Sequence, residues 1–222
     1  MKLGKYNFKL TSPTVMGICN VTPDSFSDGG KSFKSSDALK NIKEMIKNGA
    51  NIIDIGAEST RPGSDPLTHK EEVKRLEPIL KKLPKNKFVI SVDTNKIETQ
   101  EYALNMGAHI INDVFGGSED LFFLTKKFKT GLILMHTPAP PKTMQKKIHS
   151  YNNVVQDIKK IFLQKIKQLE KIKIPSSKVW FDPGIGFGKN LKQNIEIMQK
   201  INQFKFKGCL LYTSPSPRDS CA

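Results

Sequence analysis

The sequence predicts an α/β fold, an incomplete TIM (β/α)8 barrel in which about six βα units are present and the last two strands are missing. Three observations predict it. Short apolar runs rich in Ile, Val and Leu recur along the chain, as in strands that are buried on both faces of a parallel sheet. Segments with helical periodicity alternate with these runs. Polar residues close several runs at their C-terminal ends, where the active sites of such barrels lie.

The predicted elements alternate from the first strand onward. The apolar runs predict strands over residues 14–19, 51–56, 88–93, 109–112, 132–135 and 179–182. Helical periodicity predicts helices over residues 37–47, 68–83, 97–106, 119–128, 151–172 and 190–204. Thr68 and Glu71 have the spacing of a capping box, which marks a helix start. Gly49 and Gly107 each follow a helical segment and precede a strand, as helix-ending glycines do.

Four polar residues stand at the C-terminal ends of predicted strands, namely Asn20, Asp93, Asn112 and Asp182. Any one of them alone is equally well explained as an Asx turn or a helix N-cap. Because strand ends converge on one mouth in a barrel, four in one chain favour a shared site.

The last segment departs from this pattern. Residues 206–208 lead toward a seventh strand, but Pro215 and Pro217 exclude an interior strand after them. We interpret residues 1–208 as one partial barrel domain and residues 209–222 as a non-native-looking tail. Residues 209–219 look like the translation of a sequencing adapter, and a natural flexible tail is the alternative. The source DNA distinguishes the two.

Composition excludes several classes of protein. The formal net charge is +15, yet all but three of the 36 Lys and Arg residues are lysines. Specific nucleic-acid recognition favours arginine, so we expect no specific nucleic-acid partner. No apolar run approaches the roughly 20 residues that cross a bilayer, so no membrane partner is expected. The three cysteines, Cys19, Cys209 and Cys221, lack metal-site spacing and predict a cytoplasmic protein without disulfides.

Four stretches of the chain resemble one family. They read MGICNVTPDSFSDGG at 16–30, GANIIDIGAESTRPG at 49–63, SVDT at 91–94 with INDV at 111–114, and FDPGIGFGK at 181–189. Together they resemble the dihydropteroate synthases over about residues 14–207. The resemblance implies a transferase of folate biosynthesis. Such an enzyme condenses 6-hydroxymethyl-7,8-dihydropterin diphosphate with 4-aminobenzoate to give 7,8-dihydropteroate and diphosphate.

The resemblance also implies the roles of individual residues. Asp182 would accept hydrogen bonds from the pterin ring, with Asn112 and Asp93 pairing its other nitrogens. Asn20 would help to hold the cofactor Mg2+ against the diphosphate. The implied catalytic residues are Asp24, Asp28 and Arg61, and the residues implied to shape the aminobenzoate pocket are Phe26, Thr60, Pro62, Gly186 and Phe187.

Several of these residues have a simpler explanation. Asp24 and Asp28 would serve equally as turn formers beside Pro23 and Gly29. Asp54 and Glu58 are interpreted as buried structural acceptors. His136 is interpreted as structural.

The chain also departs from the family. A lysine on the seventh strand and an Arg-x-His on the eighth have no counterpart here. We therefore expect the full-length product to be the enzyme, as a homodimer, and the 222-residue chain to be inactive and poorly folded, with two exposed sheet edges. Three alternatives stay open: the pterin-binding domain of a corrinoid-dependent methyltransferase, a basic RNA-binding protein, and a pterin-binding remnant without catalysis.

Overall fold

The computed structural model describes residues 1–9, 14–22, 35–58, 65–139, 149–206 and 209–211. The chain divides into two compact units. The first contains residues 1–59, 66–112 and 127–131, and the second contains residues 60–65, 113–126 and 132–222.

The part of the first unit that the structure describes is built on four parallel strands. A short antiparallel hairpin of β1 (Lys2–Leu3) and β2 (Tyr6–Asn7), which the sequence did not predict, precedes them. The remaining elements are β3 (Met16–Asn20), α1 (Ser35–Lys47), β4 (Ile52–Gly56), α2 (His69–Leu80), β5 (Val89–Asp93), α3 (Ile97–Asn105) and β6 (Ile110–Asp113). Strands β3 to β6 pair in chain order, each parallel to the next.

Burial explains why these runs form inner strands. Adjacent residues of a strand point to opposite faces, yet both members of three adjacent pairs are at most 3% exposed; the pairs are Ile52 and Ile53, Val89 and Ile90, and Ile110 and Ile111. The strands are therefore covered on both sides, as their continuous apolar character predicts.

Local signals set the helix ends as predicted. Thr68 Oγ1 accepts a hydrogen bond from the N–H of Glu71 at 3.3 Å, and Glu71 Oε2 accepts one from the N–H of Thr68 at 2.8 Å. This reciprocal pair confirms the capping box at the start of α2. Gly49 and Gly107 adopt φ values of +99° and +88°, which end α1 and α3 at little conformational cost.

The described part of the second unit contains three parallel strands and three α-helices. In chain order its elements are α4 (Glu119–Phe128), β7 (Gly131–Met135), α5 (Val154–Lys171), β8 (Val179–Asp182), α6 (Leu191–Gln199) and β9 (Leu210–Leu211). Strand β8 pairs with β7 on one side and β9 on the other. The Phe162 ring of α5 packs on that of Phe181 in β8, with ring centroids 4.7 Å apart.

Two predictions about the end of the chain need correction. The predicted helix over residues 190–204 divides into α6 and a 3-10 turn at Ile201–Phe204. Leu210 and Leu211, which were assigned to a tail that does not continue the pattern, pair with Trp180 and Phe181 as a short strand. The reason is that both leucines precede the prolines, and the open edge of β8 offers hydrogen-bond partners to any extended backbone.

Among the described strands, β3 pairs only with β4 and β9 only with β8, so the sheet edges expected from the sequence are present. Ile18 in β3 is accordingly 49% exposed. In the described part of the chain no helix combines the length and the apolar character needed to span a membrane.

The capping box at the start of α2 predicts how a substitution of Thr68 affects stability. Thr68→Ala is expected to lower the free energy of unfolding by about 1 kcal/mol, because the N–H of Glu71 loses its acceptor. Denaturant titration of the product of the complete reading frame, followed by circular dichroism, measures it. Thr68→Ser keeps the hydroxyl and is the control. An equal loss in both variants would contradict the assignment.

Candidate functional site

One row of residues crosses the C-terminal ends of the four parallel strands of the first unit. Asn20 is in register with Gly56, Gly56 with Asp93, and Asp93 with Asn112. Neighbouring strands lie about 4.8 Å apart, so the register brings these residues to a single edge of the sheet. Three of the strand-end residues singled out from the sequence therefore lie together.

Gly56, in the middle of this row, lets two polar side chains come close to its backbone. A Cβ atom placed on it would lie 3.1 Å from Asn20 Oδ1 and 3.6 Å from Asp93 Oδ2. An amide oxygen and a carboxylate oxygen therefore border the same point above the Gly56 backbone. The Asn20 residue is exposed, so its amide is accessible to a ligand.

Asp54 fixes the orientation of Asn112. Asn112 Nδ2 donates a hydrogen bond to Asp54 Oδ2 at 3.0 Å, and both residues are buried. With the Nδ2 group turned toward Asp54, Oδ1 is the amide atom left to accept a hydrogen bond from elsewhere. The structural role predicted for Asp54 thus includes orienting a site residue.

The electrostatics of Asp54 follow from its position inside the unit. Burial raises the pKa of the Asp54 carboxyl, while Ser91 and Asn112 act in the opposite direction. Ser91 lies opposite Asp54 in the β4–β5 register, and its hydroxyl faces the carboxyl without the geometry of a hydrogen bond. Asn112 donates a hydrogen bond of 3.0 Å to the Asp54 carboxylate and so favours its ionised form.

Glu58 and Glu72 form a cluster with Lys96, which pairs with both carboxylates. Glu58 accepts a hydrogen bond from the N–H of Leu67 at 2.8 Å and pairs with Lys96. Lys96 also pairs with Glu72 at 3.4 Å. Glu72, only 1% exposed, accepts hydrogen bonds from the hydroxyls of Thr94 and Thr99. Glu58 therefore is a structural acceptor, as predicted, but its partners Glu72 and Lys96 were not identified from the sequence.

In the second unit, Asp182 ends β8 as a buried carboxylate. Its Oδ1 accepts a hydrogen bond from the N–H of Gly184 at 2.7 Å, and its backbone oxygen accepts one from the N–H of His136 at 2.8 Å. Burial raises the pKa of Asp182 to about 6, against the opposing effects of the Gly184 N–H and the positive charge of Lys189. Asp182 is therefore ionised at neutral pH but close to its titration range.

The loop after β8 carries two more of the predicted residues, Gly186 and Phe187. Asn194 Oδ1 accepts a hydrogen bond from the N–H of Gly186 at 2.9 Å, and Asn194 Nδ2 donates one to the backbone oxygen of Lys189 at 3.2 Å. The first turn of α6 thus ties down both ends of this glycine-rich segment.

His136 is buried, and its interpretation as structural stays a prediction. Burial lowers its pKa to about 3, so the imidazole is neutral at physiological pH. The remaining predicted site residues lie outside the described part of the chain; they are Asp24, Phe26, Asp28, Thr60, Arg61 and Pro62.

No cluster of three or more His, Cys, Asp or Glu side chains able to hold a metal ion occurs among the described residues. The oxygens of Asn20 and Asp93 beside Gly56 are hard ligands of the kind that Mg2+ accepts when phosphate and water supply the rest. The donor set of the row therefore fits an ion that is bound mainly through its substrate.

Comparison with known proteins identifies the family to which the chain is similar. A profile of the family described as "Pterin binding enzyme" matches residues 16–220. The dihydropteroate synthase of Escherichia coli K12 is 43% identical over 198 residues, which cover 88% of this chain and 70% of the relative.

Solved structures agree with that match. Xanthomonas albilineans dihydropteroate synthase with 4-aminobenzoic acid has a TM-score of 0.83 and 32% identity, over 92% of this chain and 73% of that one. Burkholderia cenocepacia dihydropteroate synthase complexed with 7,8-dihydropteroate has a TM-score of 0.78 and 31% identity, over 90% of this chain and 71% of that one. The shared fold confirms the predicted class, an incomplete TIM barrel of about six βα units.

Proposed function

Because this chain belongs to the pterin-binding enzymes, and within them to the dihydropteroate synthase family, we propose that its substrates are 6-hydroxymethyl-7,8-dihydropterin diphosphate and 4-aminobenzoate. The proposal rests on the row of Asn20, Asp93 and Asn112, in which the oxygens of Asn20 and Asp93 border the backbone of Gly56. The row offers oxygen acceptors and one exposed amide at a single sheet edge, which suits a flat heterocycle rich in N–H groups.

The carboxylate of Asp182 would recognise the edge of the pterin ring. That ring presents a 2-amino group and a ring N–H side by side, and one carboxylate accepts both through charge-assisted hydrogen bonds. Asn112 Oδ1, left free to accept by the bond from Nδ2 to Asp54, would pair another donor of the ring. A buried acceptor that loses its donor costs free energy, so such a pocket rejects rings without these groups.

The diphosphate is the leaving group, and its departure needs a positive charge nearby. Asn20 would hold Mg2+ through its amide oxygen, with the diphosphate oxygens as further ligands. When bound, the ion neutralises the charge that develops on the diphosphate. Arg61 would contact the phosphates through its guanidinium group.

The second substrate attacks the carbon that the diphosphate leaves. The bond between the pterin methylene and oxygen breaks, a bond to the amine nitrogen of 4-aminobenzoate forms, and that nitrogen then loses a proton. An aryl amine is already unprotonated at neutral pH, so no strong base is required. Phe187 and Gly186, with Phe26, Thr60 and Pro62, would shape the aminobenzoate pocket. Asp24 and Asp28 would belong to the loop that excludes water from the reacting carbon.

The remaining parts of the proposal concern the whole gene product. We propose a cytoplasmic homodimer without specific nucleic-acid or membrane partners. The relatives favour the synthase over the methyltransferase domain, because those reported above are all dihydropteroate synthases. No particular observation supports an RNA-binding function.

The direct test is formation of 7,8-dihydropteroate by the product of the complete reading frame, with and without Mg2+. We expect Mg2+-dependent turnover by the complete product and none by the 222-residue chain. A pterin-binding remnant would bind the pterin diphosphate without turnover, and that outcome would contradict the proposal. Turnover by the 222-residue chain as a monomer would overturn the expectation that it is inactive.

Gly56 provides a more specific prediction. Gly56→Ala is expected to weaken binding of the pterin diphosphate about tenfold, because the new methyl group lies against Asn20 Oδ1 and near Asp93. Isothermal titration calorimetry measures the affinity.

Gly17→Ala is the matched control for this variant. Its Cβ would meet Met45 Sδ at 2.6 Å, away from the row, so it is expected to reduce stability and leave the affinity unchanged. If Gly56→Ala binds the diphosphate as tightly as the unmodified enzyme, the absence of a side chain at Gly56 has no role in binding.

A further inference from the structure

Lys189 closes the glycine-rich segment that follows β8, and its side chain is almost completely buried. The residue is 4% exposed. Its Nζ donates hydrogen bonds to three backbone oxygens, those of Gly184 at 2.7 Å, Phe187 at 3.0 Å and His136 at 3.3 Å. An ammonium group has three protons to donate, so its hydrogen-bonding capacity is used entirely on the backbone.

Through these three hydrogen bonds Lys189 connects the loop after β8 to the end of β7. Gly184 and Phe187 lie within the loop itself, whereas His136 follows β7. Gly184 has a second role, because its N–H donates to Asp182 Oδ1. One glycine therefore bonds to Lys189 through its oxygen and to Asp182 through its nitrogen, so a shift of the lysine displaces the support of the carboxylate.

The charge of Lys189 has to be compensated inside the protein. Burial lowers the pKa of its ammonium group to about 7, and the negative charge of Asp182 opposes that effect. A buried charge is tolerated when its protons are hydrogen-bonded and an opposite charge compensates it. Here three backbone oxygens accept the protons, and the carboxylate of Asp182 acts on the ammonium group electrostatically. An apolar side chain of the same length would have filled the space without this electrostatic cost.

We propose that Lys189 is a positioning residue, whose ammonium group holds the segment after β8 so that Asp182 and Phe187 are presented to the two substrates. The inference rests on the proposed function, because it assigns these two residues to the pterin ring and to aminobenzoate. Asn194 supports the same segment from α6 through its bonds to Gly186 and Lys189.

The test compares Lys189→Met with Lys192→Met in the product of the complete reading frame. Lys192 is exposed near the start of α6 and loses the same charge without touching the loop. We expect Lys189→Met to raise KM for both substrates about tenfold or more, because the loop no longer holds their binding groups in place. Lys192→Met should change neither KM, and Lys189→Arg, which keeps a cationic donor, should recover part of the loss.

KM distinguishes a positioning role of Lys189 from a role in folding alone. A residue that only supports folding lowers Tm and the fraction of active protein, which reduces the apparent kcat and leaves KM unchanged. A folded Lys189→Met enzyme with both KM values within twofold of the original would overturn the proposal. If Lys189→Met does not fold, Asn194→Ala is measured in the same way, and unchanged KM values there would overturn it.

An incorrect proposed function would give a different result from an incorrect role for Lys189. The unmodified product would then form no dihydropteroate at all, while calorimetric titration with 6-hydroxymethylpterin would still compare the variants. Equal affinities of Lys189→Met and Lys192→Met in that titration would count against the positioning role.

Discussion

Replacing Gly184 by alanine is expected to remove roughly 3 kcal/mol or more from the free energy of unfolding and to abolish synthase activity. The added Cβ would lie 2.0 Å from the backbone oxygen of His136 and 3.1 Å from the carbonyl carbon of that residue. These are backbone atoms at the end of a strand, so they cannot rotate away as a flexible side chain would. The same Cβ would lie 3.2 Å from Lys189 Nζ, so relief of the clash would also disturb the support of Asp182.

Gly49→Ala is the control that isolates this clash. Gly184 has a φ of +68° and Gly49 a φ of +99°, so both substitutions place an alanine in the left-handed region. A Cβ on Gly49 would meet nothing within 4 Å, and we expect a cost of about 1 kcal/mol from backbone strain alone. Denaturant titrations and turnover of both variants measure the difference. Equal losses would mean that strain, rather than contact with His136, determines the effect at Gly184.

Residues at strand ends could be located from the sequence because two simple regularities act together. Continuous apolar runs mark strands buried on both faces, and parallel strands place their C-terminal ends at the same edge of a sheet. Asn20, Asp93 and Asn112 follow both rules, and the observed register places them in one row. The boundaries of the predicted strands in both units agree with the observed ones to within two residues.

The supporting residues could not be found in this way, because their roles depend on partners that are distant in sequence. Asp54 and Asn112 are 58 residues apart, and Lys189 reaches back 53 residues to His136. The sequence does show that a partner is needed. An acid inside an apolar strand, as Asp54 is, requires a buried hydrogen-bond partner. The sequence does not say which residue that partner is. Glu72 gave the same signal on the buried face of α2.

The short strand β9 was missed for a different reason. Two leucines are too few to produce a periodic signal, and what makes them a strand is the open edge of β8. The prediction of a separate tail over residues 209–222 is wrong for Leu210 and Leu211, and residues 212–222 lie outside the described part of the chain. The family profile extends to residue 220.

The second large effect concerns Asp182. Asp182→Asn is expected to weaken binding of 6-hydroxymethylpterin by about 100-fold, because an amide presents only one acceptor to the paired donors of the ring and turns its own donors toward them. The variant should fold, since the amide oxygen can still accept from the N–H of Gly184 and a buried charge is removed. Asp120→Asn, an exposed position in α4, is the control with the same change of charge.

The pH dependence of binding follows from the pKa of Asp182, which burial raises to about 6 from an ordinary value of 3.8. As the pH falls through 6, the folded carboxyl takes up a proton and loses one acceptor, so affinity should fall toward tenfold per pH unit. Stability changes in the opposite direction: between pH 3.8 and 6 the folded state binds more protons than the unfolded state, so this group's contribution to stability decreases as the pH rises. Calorimetric titrations between pH 5 and 8 measure the affinity. The Asp182→Asn protein should lack this dependence, and a titration curve shared by both proteins would assign the proton to another group.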